Sequence, residues 1–321
     1  MKKHLIGIIY GFLLTAFTVY LLLDTFVIVR IYDRIPNEDT EYDTTSDTQF
    51  ENTETYAPNT TDSAIESEIA TTAAELTEPI ITENSYLDNN ISVTLTDYRK
   101  YNTTIHVADI KITSPEYLKT ALAKDSYGKN VTEKTSKIAD RNNAIIAVNG
   151  DFYGSQEKGF VLRNGVLYRS SASKNQEDLV IYKDGYFGIV TETEASAEQL
   201  LDDGAVHILS FGPALVIDGE ITVDEDDEVK RSMTSNPRTA IGIIEKGHYI
   251  LLTSDGRTDE NEGLSLIELA KFMQSLGAKI AYNLDGGGSS TMYFCGEIVN
   301  NPTTNGSYKE RSVSDIVYIG Y

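Results

Sequence analysis

Cysteine occurs once, at Cys295, so the chain forms no disulfide within itself and its fold has to rest on a core. That usage fits a reduced cytoplasm, and equally a surface protein that relies on core size instead of cross-links. His4, His106, His207 and His248 are the only histidines in 321 residues and are scattered, which argues against a His-based triad or zinc centre. Each reads as structural or surface. No Lys or Arg lies between Arg34 and Arg99, whereas fifteen Asp and Glu do, and this stretch carries most of the formal net charge of -22. The rest of the chain is only mildly acidic, so the folded part need not share the overall bias. No basic stripe interleaved with aromatics appears, which argues against a nucleic-acid partner. No internal repeat is visible.

The N-terminus reads Met1-Lys2-Lys3-His4, stays apolar from Leu5 to Leu23, and continues past Asp24 to Val29. A membrane span needs about 20 apolar residues, and this run reaches that length. A secretory signal peptide has a shorter apolar region and a small-x-small cleavage site; no convincing site follows here, which favours an anchor. Lys2 and Lys3 face Arg30 and Arg34, the latter offset by Asp24 and Asp33, so the charges lean towards N-in, C-out. Residues 1–30 are therefore assigned as a cytoplasmic N-terminus and single transmembrane anchor in the cell membrane, with the folded domain outside the cytoplasm. Residues 31–87 are rich in Thr, Glu, Asp, Asn and Ser and are expected to form a disordered acidic linker that lifts a domain at 88–321 off the membrane.

From Asn90 onward apolar residues alternate, at Ile91, Val93 and Leu95 and again at Ile105, Val107, Ile110 and Ile112, which is a strand signal. Further strands are expected at Ala144–Val148, Val206–Ser210, Ala214–Ile217, Thr239–Ile244, Tyr249–Thr253, Lys279–Leu284, Thr291–Phe294 and Val313–Ile319. Asn164-Gly165 and Asp184-Gly185 read as the turns of hairpins over Val161–Tyr168 and Leu179–Val190. Helices are predicted at Glu116–Lys124, Thr132–Asn142 with Thr132 as its cap, Ala195–Leu201 and Ser265–Leu276. The last is the clearest, with Leu266, Leu269, Phe272, Met273 and Leu276 on one stripe and Gly277 as its stop. The fold class is α+β: a strand-rich single domain with a few helices.

The sharpest local feature is Asn283-Leu284-Asp285-Gly286-Gly287-Gly288-Ser289-Ser290-Thr291, between two expected strands. Consecutive glycines open backbone conformations closed to other residues and let N–H groups approach a ligand, as an anion-binding nest requires. A hairpin turn needs fewer glycines, and the flanking Asp, Asn and hydroxyls favour a site. There is no Lys for a P-loop and no sixth-position Gly for a dinucleotide fingerprint. Thr291 stands where a nucleophile elbow needs Gly, which argues against Ser289 as an acyl-transfer nucleophile.

Four more polar clusters end apolar strands: Asn149-Gly150-Asp151-Phe152-Tyr153, Asn236-Pro237-Arg238-Thr239, Ser254-Asp255-Gly256-Arg257 and Arg311-Ser312-Val313-Ser314-Asp315. Each alone reads equally well as a turn or a surface ion pair. Together, Arg238, Arg257 and Arg311 supply forks for phosphate oxygens, and Asp151, Asp255 and Asp285 supply an acid, a base or a metal ligand. The acidic run Asp224–Glu228 lacks the spacing and glycine of an EF-hand and reads as a solvated loop.

Over Ile91 to Tyr321 the chain resembles the phosphodiester glycosidase family. The resemblance rests on Ala147 to Tyr153, Phe211-Gly212-Pro213, Asn236 to Gly242, Asp255-Gly256-Arg257, Leu266 to Ala270, Asn283 to Met292, and Arg311 to Ser314. Asp151 departs from the second Gly of many relatives, and Ser312 from a common Pro. The resemblance implies hydrolysis of a sugar joined through its anomeric carbon to a phosphodiester, releasing the free sugar and a phosphomonoester.

On that reading Arg238 and the Gly286-Gly287-Gly288 backbone hold the phosphate. Asp151, Thr239, Arg257, Ser289, Ser290 and Arg311 are further substrate contacts. Asp285 orients the sugar or assists its anomeric centre, with Asp255 and Asn149 beside it as catalytic, sugar or metal contacts. The sequence shows no required cofactor and leaves a divalent cation open. The implied substrate is a phosphorylated glycan or glycosyl phosphodiester of a surface or extracellular glycan, such as an exopolysaccharide. Two alternatives are a non-catalytic module that binds anionic wall polysaccharide and a transferase in exopolysaccharide assembly.

Overall fold

A computed structural model of the chain describes residues 2–35, 76–224 and 235–321. An α-helix spans Lys2–Phe26, and its Ile9–Phe26 portion is long and apolar enough to cross a membrane, with none of it buried against the protein. The remainder is built chiefly from three antiparallel sheets that share a central core, with three two-stranded pairs at their margins. The largest has nine strands, in the order Glu220–Ile221, Ala214–Ile217, Ile280–Leu284, Thr239–Glu245, His248–Ser254, Thr103–Ile112, Ile91–Lys100, Ser85–Leu87 and Ile80–Ile81. A five-stranded sheet runs Glu297–Ile298, Met292–Phe294, Ile146–Asn149, Asp315–Ile319, Leu118–Leu122. The other five-stranded sheet runs Val166–Arg169, Val161–Arg163, Ala205–Leu209, Glu177–Tyr182, Phe187–Thr191.

The side-chain alternation explains this layering. On Thr103–Ile112 the even residues Ala108, Ile110 and Ile112 enter the central core, where they join Ile146, Val148, Leu179, Ile181, Tyr282 and Val317 from all three sheets. The odd residues Ile105 and Val107 face the other way, onto Leu266, Leu269, Phe272 and Met273 of the Leu266–Ser275 helix. Central strands buried on both faces read as near-continuous apolar runs, as Tyr249-Ile250-Leu251-Leu252 does. The other two sheets are likewise backed by one short helix each, Thr135–Arg141 and Ala197–Asp202. The α+β, strand-rich class is therefore the observed one.

Two predicted helices differ. Glu116–Lys124 is not a helix: Pro115–Tyr117 is one 3-10 turn, and Leu118–Leu122 is a strand paired along Asp315–Ile319. Its Leu, Lys and Ala favour helix locally, but strand pairing in the sheet overrides that preference. The second helix begins at Thr135, not Thr132, because Glu133–Lys134 pairs with Ser312–Val313. No side chain of its own caps it; Glu310 accepts from Ser136 N at 3.0 Å and Ser136 Oγ at 2.8 Å and so fills the end of the helix.

The expected linker also changes at both ends. Ile80–Ile81 and Ser85–Leu87 extend the large sheet beyond Ile91–Lys100, so the domain begins ahead of residue 88. Arg30–Ile31 pairs with Gly128–Lys129, and Ile35 N–H donates to Leu167 O at 3.1 Å. Residues 36–75 of that linker, and residues 225–228 of the acidic run, lie outside the described residues.

Candidate active site

The clusters singled out in the sequence converge at one end of the sheets. Thr239 opens its strand opposite Leu284 and Thr253, while Asn149 closes its own opposite Ile316. Asn149 joins the two sheets and is fully buried. Its Nδ2 donates to Asp285 O at 2.6 Å, and its Oδ1 accepts from Thr239 Oγ1 at 2.8 Å and Thr291 N at 3.2 Å. With its amide so engaged, Asn149 holds three loops in register and offers little to a substrate.

The glycines serve close packing more than an open nest. A Cβ on Gly286 would stand 2.9 Å from Pro237 O; one on Gly287, 2.9 Å from Arg257 Nη2; one on Gly288, 2.5 Å from Thr304 Oγ1. Gly287 N–H is spent on Pro237 O at 2.7 Å, and Ser289 and Ser290 N–H close a turn onto Gly286 and Gly287. The expected row of converging amides is thus mostly used internally, and what Gly287 admits is a guanidinium. Arg257 is exposed, has φ of 61°, and donates through Nε and Nη2 to Asn236 Oδ1 at 3.2 and 2.9 Å. A non-glycine residue in this left-handed region costs about 1–3 kcal/mol, and such positions cluster at functional sites.

On the other flank sit Asp285, Ser289 and Arg311. Ser289 Oγ donates to Asp285 Oδ2 at 2.6 Å, Arg311 Nε donates to Ser289 Oγ at 2.8 Å, and Arg311 Nη2 lies 3.1 Å from Asp285 Oδ2. The Arg311 side chain is 42% exposed and that of Asp285 only 11%. Burial pushes the Asp285 carboxyl up, and the opposing pull of Arg311 and Ser289 does not cancel it, so the net shift is upward. A buried carboxyl with a raised pKa beside an outward-facing cation is suited to acid–base work.

Other candidates fall behind this front. Arg238 is buried and its Nε donates to Leu264 O at 2.9 Å. Asp255 accepts from Asn301 N at 2.8 Å and Asn301 Nδ2 at 3.1 Å, and His106 Nε2 lies 3.5 Å away. Burial pushes the Asp255 carboxyl up, but His106 and Asn301 outweigh it and the net shift is downward. It therefore seats the loop that leads to the Thr303–Tyr308 hairpin, where Thr304 Oγ1 donates to Gly288 O at 3.2 Å.

Asp151 is used structurally: its carboxylate accepts from Arg163 Nη2 at 2.7 Å, Ser210 N at 2.9 Å and Tyr153 N at 2.9 Å. Arg163 donates in turn to Asp315 Oδ2 at 2.7 Å, and all three side chains are out of water. Burial raises the Asp315 carboxyl to about 7 despite Arg163. Ser290 is buried beneath the glycine turn. Among the described residues, no group of three or more His, Cys, Asp or Glu is placed to hold a metal ion.

Arg163, Asn301 and the role of His106 were not singled out from the sequence. Arg163 read as part of a hairpin beside Asn164-Gly165, and no local pattern marks a buried cation. His106 read as structural, yet it bridges Asp255 and Asp97, with Nδ1 2.7 Å from Asp97 Oδ1.

The chain belongs to the phosphodiester glycosidase family, whose sequence profile matches residues 142–320. Among named relatives, it is 31% identical over 175 residues to N-acetylglucosamine-1-phosphodiester alpha-N-acetylglucosaminidase of Mus musculus, covering 49% of this chain and 33% of that protein. It is 29% identical over 205 residues to the SPbeta prophage-derived uncharacterized protein YomE of Bacillus subtilis (strain 168), covering 61% of this chain and 31% of that one. The chain thus spans about a third of the length of the curated relatives it matches. The fold is shared with the zebrafish N-acetylglucosamine-1-phosphodiester alpha-N-acetylglucosaminidase catalytic domain, solved in a form auto-inhibited by its pro-peptide. That comparison gives a TM-score of 0.58 and 23% identity, over 72% of this chain and 83% of that one.

Proposed function

We propose that this domain hydrolyses a glycosyl phosphodiester outside the cytoplasm, on a chain anchored in the membrane by the apolar helix at Ile9–Phe26. Family membership supports the reaction class, and the Asp285–Ser289–Arg311 cluster is the observation that carries the mechanism. The outward guanidinium groups of Arg257 and Arg311 flank the glycine turn and fork onto the phosphate oxygens. Water adds to the anomeric carbon as the carbon–oxygen bond to phosphate breaks, giving a free sugar and a phosphomonoester. Asp285 takes the proton from that water.

Substrate phosphate draws Arg311 from Asp285, which removes the cation opposing its upward shift and makes the carboxylate a better base. Phosphate leaves readily, so the site needs no strong general acid. Asn149 and Asp255 act through the loops they hold, and Arg238 supports the base of the glycine turn. We assign no divalent cation, since Asp151 and Asp255 are already filled by protein donors. A surface or extracellular glycan is the substrate class.

The test is release of reducing sugar from a sugar-1-phosphodiester by the full chain in detergent, with and without chelator. Asp285→Asn is expected to lower kcat by about 100-fold or more, the scale of a lost general base. Arg257→Ala is expected to act mainly on KM, and chelator to leave the rate unchanged. Wild-type turnover in Asp285→Asn would refute the assignment, and binding without sugar release would return the non-catalytic reading.

A further inference from the structure

The domain touches the apolar helix where that helix ends. Asn130 Nδ2 donates to Thr25 O at 3.3 Å and Ile28 O at 2.9 Å, and Lys129 Nζ lies 3.8 Å from Asp24 Oδ2. The last carbonyls of a helix have no partner within it and carry partial negative charge, so an amide donor and a cation suit that end. Just beyond, Arg30–Ile31 pairs antiparallel with Gly128–Lys129, and Tyr32 N–H donates to Tyr127 O at 3.0 Å. A Cβ at position 128 would fall 2.0 Å from Arg30 O, so the strand approaches this closely only over glycine.

The same contact reaches the site. Tyr32 and Tyr127 ring centroids are 6.0 Å apart, and Tyr127 stacks on Tyr153 at 5.3 Å. Asn130 N–H donates to Gly154 O at 3.0 Å. Tyr153–Ser155 is the turn that follows Asn149-Gly150-Asp151, so the anchor's exit strand is two aromatic contacts from a loop of the site.

We infer that the exit strand clamps the domain against the membrane and that the substrate is a glycosyl phosphodiester held in that same surface, not one free in solution. The inference rests on the membrane-anchored glycosidase reading above. A headgroup layer is only about 5–7 Å deep on each side of the hydrocarbon, so a domain bonded to the helix's last turn sits at headgroup level. Tyr, Lys and Arg are the side chains that settle at this depth, and Tyr32, Tyr127, Tyr168, Arg30 and Lys129 gather here around a cleft of about 420 Å³. Ile35 and Leu76 are both bonded to domain residues, so the described connection between helix and domain runs through Arg30–Ile31 and Ile35.

Two measurements on the full chain in vesicles test this. With Cys295→Ser, the pair Arg30→Cys and Lys129→Cys occupies directly opposed strand positions, within disulfide reach. Mild oxidation is expected to bridge most molecules; bridging no greater than with Glu220→Cys, on the far edge strand of the nine-stranded sheet, and Lys129→Cys, or loss of residues 1–30 by cleavage, would overturn the clamp. The second compares kcat/KM on a sugar-1-phosphodiester carried by vesicle lipid with the same headgroup in solution. Confinement to one surface is expected to favour the vesicle-borne form by roughly tenfold or more. Gly128→Val, which blocks the exit strand, should abolish that preference while leaving the rate on soluble substrate unchanged, a rate that also reports intact folding. A preference that survives Gly128→Val, or none in the wild type, would overturn the inference. No turnover on either substrate would instead refute the hydrolase reading, with the bridging result still reporting the clamp.

Discussion

Replacing Arg163 by Met is expected to be among the most damaging single changes outside the site. Arg163 is fully buried and compensates two buried carboxylates, Asp151 through Nη2 and Asp315 through Nε, each at 2.7 Å. Met keeps much of the stem's packing but leaves both carboxylates without their cation. Breaking a buried pair in this way costs about 3–5 kcal/mol. For a domain of this size each kcal/mol moves Tm by about 2–4 °C, so a fall of about 6–20 °C is expected.

The pH dependence follows from Asp315. Its folded-state carboxyl is raised from 3.8 to about 7, so the folded protein holds a proton that the unfolded chain releases. Stability from that difference is full below 3.8 and is lost as pH rises to about 7. Without Arg163 the folded-state value climbs further and the loss extends above neutrality. The deficit of Arg163→Met should therefore be larger at pH 8 than at pH 5. Thermal melts of the purified chain in detergent, followed by circular dichroism at both pH values, measure it. Adding Asp315→Asn should return part of the loss, since the two residues share one network. A deficit under about 1 kcal/mol, ordinary for an unremarkable substitution, or one equal at both pH values, would refute the reasoning.

The site offers two further checks. Gly288→Ala puts a methyl group 2.5 Å from Thr304 Oγ1 and must push Thr304, and the hairpin it belongs to, off Gly288 O. Turnover should fall, with a stability loss of about 1–3 kcal/mol, and Thr304→Ala should restore part of both; no rescue would mean the hairpin is not the obstacle. His106 offers the other. Burial pushes its pKa down, but Asp255 and Asp97 outweigh burial and the net shift is upward. Its contribution to stability is full below the ordinary 6.5 and lost as pH rises through the folded-state value. Asp97→Asn removes one of the two anions, so the His106 ring should titrate at lower pH by NMR; an unmoved titration would discount the Asp97 contact.

Long-range pairing explains which parts were legible in the sequence. Thr239–Glu245 and His248–Ser254 announce themselves as short continuous apolar runs, and the Leu266–Ser275 helix because a helical period repeats within it. Leu118–Leu122 does not: its composition favours helix, and the Asp315–Ile319 strand that recruits it lies almost two hundred residues away. At the site, the glycine turn and its Asp and Arg neighbours stood out by residue type, and the structure brings them to one end of the sheets. Their individual depths were not readable. Whether an arginine faces outward, as Arg311 does, or is buried, as Arg238 and Arg163 are, depends on partners supplied by other strands. The same holds for Asp151, whose partner Arg163 carries no mark of its role.

The Asp315–Ile319 strand lies in the interior of its sheet, between Ile146–Asn149 and Leu118–Leu122, and Asp315 completes the bond to Arg163. Synthesis therefore delivers Asp315 about 150 residues after its partner Arg163. Until it arrives, Asn149 and Asp151 have an open sheet edge beside them, and this end of the sheets cannot close. Such distant pairings also slow folding.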